Sequence, residues 1–109
     1  MMDFIQITND PALARRCDEL PGLRVFVDLE RHGKQARQAG RNTFISSHQM
    51  DDVARIREVL TQARLMVRLN PLHEGSAAEI EQTIARGADA LMLPMFRHAD
   101  ELAAFCALV

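Results

Sequence analysis

Tryptophan and tyrosine are absent from this 109-residue chain, and lysine occurs once, at Lys34. The aromatic part of any core therefore rests on five Phe. Basic charge is not in excess either: the formal net charge is −2. The arginines are scattered along the chain, so there is no basic field or phosphate-tracking stripe to bind nucleic acid. No apolar run approaches the ~20 residues that a membrane span needs. The start, Met1-Met2-Asp3, lacks the basic-then-apolar pattern of a signal peptide. There are only two cysteines, Cys17 and Cys106, far apart and each inside an expected helix. They read as small reduced core residues, and no Cys/His spacing resembles a zinc site. Gly-x-Gly-x-x-Gly, phosphate-loop and Gly-x-Ser-x-Gly motifs are all missing. These absences leave a cytoplasmic globular protein without a membrane or nucleic-acid partner. At 109 residues, 1–109 form one domain.

What is present is alternation. Phe4-Ile5-Gln6-Ile7-Thr8 reads as a strand, and Asp10-Pro11 opens a helix as N-cap and first-turn proline. That helix is expected to reach about Leu20, with Leu13, Cys17 and Leu20 on one face and Pro21-Gly22 ending it. Arg24–Leu29 is a second strand, apolar at Val25, Phe26 and Val27 in succession, as in a strand covered on both faces. The segment from Glu30 to Asn42 is polar and basic, a long loop or a poorly formed helix. Thr43–Ser46 is a short strand candidate. Ser46 or Ser47 is expected to cap the next helix, with Gln49 completing a capping box from Ser46. Val53, Ile56, Val59, Leu60 and Ala63 give the clearest amphipathic spacing in the chain.

Leu65–Leu69 is a strand ended by Asn70-Pro71. Ser76-Ala77-Ala78-Glu79 has the form of a capping box and predicts a helix from Ala77. Ile80, Ile84 and Ala88 would be its buried stripe and Gly87 its C-terminal glycine. Ala90–Leu93 is a further strand closed by Pro94. A last helix opens at His98-Ala99-Asp100, with Leu102, Phe105, Cys106 and Val109 on one side. Such alternation implies an α/β fold with a parallel sheet of four to five βα units.

Parallel α/β sheets carry their sites at the carboxyl ends of the strands. Here those ends hold Thr8 and Asn9; Asp28, Glu30 and His32; Ser46, Ser47 and His48; Arg68, Asn70, His73 and Glu74; and Arg97. The strand interiors are apolar. Adjacent Ser47 and His48 rarely form a nucleophile–base pair, and helix capping accounts for both serines. The histidines read as solvated or capping groups. Arg68, at the end of an otherwise apolar strand, has two readings. It forms a structural ion pair, or its guanidinium fork binds a carboxylate.

Three stretches resemble a known family: Val27-Asp28-Leu29-Glu30, Val67-Arg68-Leu69-Asn70-Pro71, and Gly87-Ala88-Asp89-Ala90-Leu91-Met92-Leu93-Pro94-Met95. In this order they look like successive strands of the aldolase/citrate lyase family, carbon–carbon lyases with a phosphoenolpyruvate/pyruvate-type (β/α)8 barrel. The resemblance covers about residues 24–109. It implies a TIM-type barrel, a 2-oxo acid or acyl substrate, and an enolate formed by carbon–carbon cleavage. It implies substrate binding by Arg68, with Asn70 beside it, and places Asp28 and Glu30 in the same site as catalytic carboxylates. It also implies a divalent cation, magnesium by the family's habit, that polarises the substrate carbonyl.

The chain departs from the family in two respects. Arg31 intervenes before His32, where some branches place a base histidine directly after the acidic residue. Family barrels run to roughly 250 residues, and the metal-binding Glu and Asp lie on later strands. No metal ligand is therefore carried over, and the chain is expected to be the N-terminal half of such a barrel. With open edges and an apolar inner face it is expected to self-associate or pair with the missing half. Alone it is expected to be inactive. The alternative is a non-catalytic α/β binding or interaction domain in which Arg68 pairs structurally with Asp28 or Glu30.

Overall fold

The computed structural model of the chain describes residues 2–31 and 48–109. It is an α/β structure built on a four-stranded parallel sheet in the order β1-β2-β3-β4. The strands are β1 (Phe4–Ile7), β2 (Leu23–Asp28), β3 (Leu65–Arg68) and β4 (Ala90–Met92). Between and after them run α1 (Pro11–Asp18), α2 (Met50–Val59), α3 (Ser76–Ala85) and α4 (Ala99–Leu108). Sequence order and spatial order of the strands coincide, so the sheet has no reversal point among the described residues. The helices follow the same order: α1 lies against α2, α2 against α3, and α3 against α4.

Register divides the sheet into two faces. Val25 pairs with Leu65, Val27 with Val67, and Val67 in turn with Leu91. These residues join Ala14 and Cys17 of α1, Val53 and Ile56 of α2, Ile80 of α3 and Phe105 of α4 in one apolar cluster. Full burial of a side chain such as Ile56 or Leu65 stabilises the fold by about 2 kcal/mol. The alternate positions line the opposite face, where Phe26 pairs with Met66 and Asp28 with Arg68.

The helix ends explain several boundaries. Asp10 caps α1 by accepting the Ala12 N–H, and Pro11 takes the first helical position. Helix α1 ends at Asp18, two residues before the expected Leu20, and its buried side is Ala14, Cys17 and Asp18. Leu13 and Leu20 are exposed. Helix α2 starts at Met50 with Gln49 as its N-cap, whose backbone N–H donates to Asp52 Oδ2 at 2.7 Å. A capping box joins Gln49 and Asp52; Ser46 and the box expected from it, Ser47, the Thr43–Ser46 strand candidate, His32 and Lys34 lie outside the described residues. Gly87 follows α3 with φ +103°, the left-handed turn that glycine allows.

The expected stripes of α3 and α4 are partly overturned. Ile84 is exposed, and its neighbour Thr83 is fully buried with its hydroxyl donating to the Glu79 carbonyl at 2.7 Å. That internal hydrogen bond removes the penalty of burying the threonine. On α4 only Phe105 is buried; Leu102, Cys106 and Val109 face outward. Both cysteines are free, Cys17 in the core and Cys106 on the surface. No described helix is long and apolar enough to cross a membrane.

Two carboxylates fasten the N-terminal rim of the sheet. Asp18 accepts hydrogen bonds from the Thr61 N–H (3.0 Å), the Thr61 hydroxyl (2.6 Å), the Gln62 N–H (2.7 Å) and the Ala63 N–H (2.7 Å). Burial alone raises the Asp18 pKa, but these donors together outweigh it and hold the carboxyl well below the usual range. Asp89 accepts the Leu65 N–H at 2.9 Å and pairs with Arg57 at 2.9 Å.

Candidate functional site

The C-terminal rim gathers the residues singled out in the sequence. Asp28 closes β2 and Arg68 closes β3, and the register sets them side by side. Each projects from the face opposite the helices, two residues beyond Phe26 and Met66. Arg68 grips Asp28 with two parallel hydrogen bonds, Nε to Oδ1 at 3.1 Å and Nη2 to Oδ2 at 2.7 Å. Such a fork is stronger and more directional than a single-point ion pair. Glu30 Oε1 lies 3.8 Å from Arg68 Nε. Below them the Phe26 ring sits 5.5 Å from the guanidinium carbon, a cation–π distance. Both carboxylates are deeply buried, whereas the Arg68 side chain keeps 28% exposure. The hydrogen bonds to Asp28 raise the Arg68 pKa against the opposing effect of burial, so the guanidinium is a fixed cation.

Asp28 takes the Nε/Nη2 edge of the guanidinium. Among the described residues, Nη1 donates to none, and Nη2 donates to Asp28 alone. Of the two readings, the ion pair is therefore present, and it leaves an end of the fork that a second carboxylate can take. Asp28 Oδ1 also accepts the Glu30 N–H at 3.1 Å, which turns the chain sharply after β2.

Asn70 is brought to the same rim but is engaged differently. Its N–H and its Nδ2 donate to the two oxygens of Glu79, at 3.0 and 2.7 Å. Its Oδ1 accepts the Arg31 N–H at 2.6 Å. The capping box expected at the start of α3 is not formed. Helix α3 begins at Ser76 with Gly75 as its N-cap, Ser76 Oγ accepts the His73 N–H at 2.8 Å, and Glu79 turns to Asn70 instead. His73 Nε2 lies 3.9 Å from Glu79 Oε2, and its Nδ1 accepts the Gly75 N–H at 2.9 Å.

Sequence reasoning missed Glu79, and it placed His48 on this rim but read it as a solvated or capping group. His48 is buried, and its Nδ1 accepts the Asp28 N–H at 3.0 Å. The Arg31 guanidinium donates to the His48 carbonyl. In the sequence, Glu79 was absorbed by the capping pattern and His48 by its neighbours Ser46 and Ser47. The only available signal for His48 was its position just before α2, on the same rim as Asp28. Thr8 reaches the rim as a turn former, its Oγ1 accepting the Asp10 N–H at 2.9 Å. Asn9 donates to Asp52 at 3.3 Å and so belongs to the α2 cap, not to Arg68.

A cleft of about 190 Å³ opens beside this network, lined by Leu29, Arg31, His48, Gln49, Met50 and Glu79. It is small against the roughly 300–1,000 Å³ of drug-sized sites, in the size class of a short-chain acid. A hollow of about 290 Å³ lies at the opposite rim, around Asp18, Arg24 and Arg64. Asp18 is already saturated by four donors there, which makes that end the poorer candidate. Among the described residues, no three His, Cys, Asp or Glu side chains gather to hold a metal ion. In comparisons with protein-family models, curated proteins and solved structures, nothing matches the chain.

Proposed function

We propose that the chain forms part of a divalent-metal-dependent carbon–carbon lyase of the aldolase/citrate lyase type, in which Arg68 binds the carboxylate of a 2-oxo acid or acyl substrate. The observation that supports this best is the meeting of Arg68, Asp28 and Glu30 at the carboxyl edge of an unreversed βα series. The sequential strand order and the helices packed in series are what half of a (β/α)8 barrel requires. In this reading the apolar and charged face opposite the helices is the barrel interior. It accounts for an arginine and two buried carboxylates at the end of apolar strands.

Asp28 orients Arg68 side-on, and a substrate carboxylate takes the Nη1/Nη2 end. Arg68 stands between two carboxylates, so a substrate carboxylate is favoured there where a bound cation adds positive charge. Asp28 and Glu30 organise water or a proton transfer beside the reacting carbon. An enolate is stabilised by charge and not by a Schiff base, because the only lysine, Lys34, is outside the expected strands. A magnesium ion, where bound, supplies Lewis-acid polarisation of the carbonyl; the described residues do not form its ligand set. The enzyme is cytoplasmic, and its site is completed by self-association or by a complementary half-barrel.

One observation favours a second reading. The Arg68–Asp28 fork is complete as it stands, as in a non-catalytic domain where the pair is structural. Calorimetry with oxalate and with pyruvate, with and without magnesium, separates the two. The lyase reading expects binding that needs the cation and disappears in Arg68→Ala while circular dichroism stays that of the native chain. Absence of binding, or binding indifferent to Arg68, leaves the structural reading. Light scattering adds a check: a monodisperse monomer at micromolar concentration contradicts the half-barrel.

A further inference from the structure

We propose that Glu79 and Asn70 form a positioning relay that fixes the Arg31 backbone and thereby holds the Asp28–Glu30 carboxylates against Arg68. What those carboxylates bind rests on the lyase reading; the relay itself does not.

The segment from Asp28 to Arg31 is anchored at both ends by β3. Arg68 holds it at Asp28, and Asn70, two residues further along, holds it at the Arg31 N–H. Glu30 lies between the anchors, 3.8 Å from Arg68 Nε and almost fully buried. Fixing the chain on either side steadies a carboxylate in that position near the guanidinium. The anchor at Arg31 depends in turn on which way the Asn70 amide faces. An amide can flip, exchanging its donor and its acceptor. Glu79 prevents this. Its two oxygens have only acceptor capacity and require Asn70 to present the N–H and Nδ2, which turns Oδ1 toward Arg31. A first-turn glutamate is thus used to orient a residue outside its helix in place of capping the helix itself.

The polarity of the relay gives its test. Glu79→Gln offers one acceptor where Asn70 presents two donors, so either amide orientation loses a hydrogen bond. Asn70→Asp sets a carboxylate against Glu79 at hydrogen-bond distance. The double variant, Asn70→Asp with Glu79→Gln, restores every bond with donor and acceptor exchanged. The introduced glutamine accepts from the backbone N–H of position 70 and donates to the introduced aspartate, whose other oxygen accepts from Arg31.

The full 109-residue chain is studied by nitrogen-15 NMR and by calorimetry with magnesium and oxalate. Each single variant is expected to shift the Arg31 amide resonance and speed its hydrogen exchange at least about tenfold, the change for one lost bond of this kind. It is also expected to move the Arg68 Nε–H resonance and weaken oxalate binding roughly tenfold, as loss of an outer partner does at other sites. The double variant is expected to return these readouts toward the native values. The proposal is overturned if the single variants lower the melting temperature while the Arg68 resonance and oxalate affinity stay put. It is also overturned if the double variant fares no better than the singles. If a single variant fails to fold, the double variant decides: a native Arg31 resonance supports the relay, and its absence rejects it. If the native chain does not bind oxalate, carboxylate binding by Arg68 in this chain fails, and the Arg31 and Arg68 resonances still decide the relay.

Discussion

At the N-terminal rim of the sheet, buried Asp18 is met by three backbone N–H groups and a hydroxyl, all neutral. At the C-terminal rim, buried Asp28 is met by a guanidinium, with a second carboxylate close by. The two aspartates are both buried, yet they differ in what a ligand could do to them. Neutral donors fixed in a loop backbone cannot be exchanged for anything else. An arginine that keeps part of its fork exposed can take on another anion. The first arrangement is suited to holding α1 to the loop before β3. The second is suited to a site, in keeping with the usual division of labour between the two ends of parallel α/β sheets.

If that contrast holds, the largest loss of stability comes from the N-terminal rim and leaves the site alone. Asp18→Ala removes the acceptor for four donors and is expected to cost about 3 kcal/mol. Denaturant unfolding measures it. The pH dependence follows from the same bonds. The folded-state pKa of Asp18 lies below the unfolded value of about 3.9, so its contribution is fully present above that value and is lost as pH falls through the folded-state one. Native stability should therefore decline below about pH 4, and Asp18→Asn should flatten that decline. A decline of unchanged steepness in the variant would show that other carboxylates, such as Asp52, whose pKa is lowered against burial chiefly by the Gln49 N–H, carry the acid limb.

Arg68→Ala comes next and tests the other rim. It removes the fork from Asp28 and the nearby guanidinium from Glu30, both buried. Breaking a fully buried pair costs roughly 3–5 kcal/mol, and part of Arg68 is exposed, so about 2 kcal/mol is expected. The decisive feature is the pairing of this loss with abolished oxalate binding, which Asp18→Ala should not produce. Were both variants to abolish binding equally at a temperature where both are folded, the two rims would not be separable.

The same contrast explains what could be read from the sequence. Strands β2, β3 and β4 were legible because short apolar runs between turn residues have few other uses, and Asp10-Pro11 and Gly87 marked their helix ends by local chemistry. Arg68, Asp28 and Glu30 were legible because strand ends are where polar residues stand out against apolar interiors. Asp18 was not, since its donors lie 43 to 45 residues away. The one trace was an acidic residue in the last turn of a helix, where the helix dipole disfavours it. The stripe of α3 was misjudged because Thr83 meets its own hydrogen-bonding need and can be buried, which releases Ile84 to the surface. Glu79 was misassigned because a capping box and a long-range acceptor need the same residue type.

A third variant acts on the N-terminal rim through backbone strain. Gly87→Ala places a Cβ at a φ of +103° and 2.4 Å from Arg57 Cγ. Arg57 must move, and it is the residue that pairs with Asp89, the acceptor for the Leu65 N–H. The strained backbone and the displaced side chain together are expected to cost about 1–2 kcal/mol. The Arg31 and Arg68 resonances should remain native, because nothing in this linkage reaches the other rim. A shift at Arg68 would mean that movement at the start of β3 is transmitted along the strand to its end.

The smallest effect should come from the pair that most resembles Arg68–Asp28 in composition. Asp3 and Arg24 stand at the N-terminal rim, 3.9 Å apart, with side-chain exposures of 65% and 40%. The residue types are the same, but water competes for both ions, and the geometry is single-point where Arg68 forms a fork. Exposed pairs of this kind contribute about 0.2–1 kcal/mol, and Asp3→Asn is expected at the low end, shrinking further in added salt as screening shortens the reach of the charge. A loss above about 1 kcal/mol would show that the pair is less exposed in solution than in the isolated chain. Asp3 adjoins β1, the outer strand of the sheet among the described residues, and Arg24 lies beside it on β2, so a second chain packed over this rim would produce such burial. The variant's cost, measured across a range of protein concentrations, then reports on association as well as on charge.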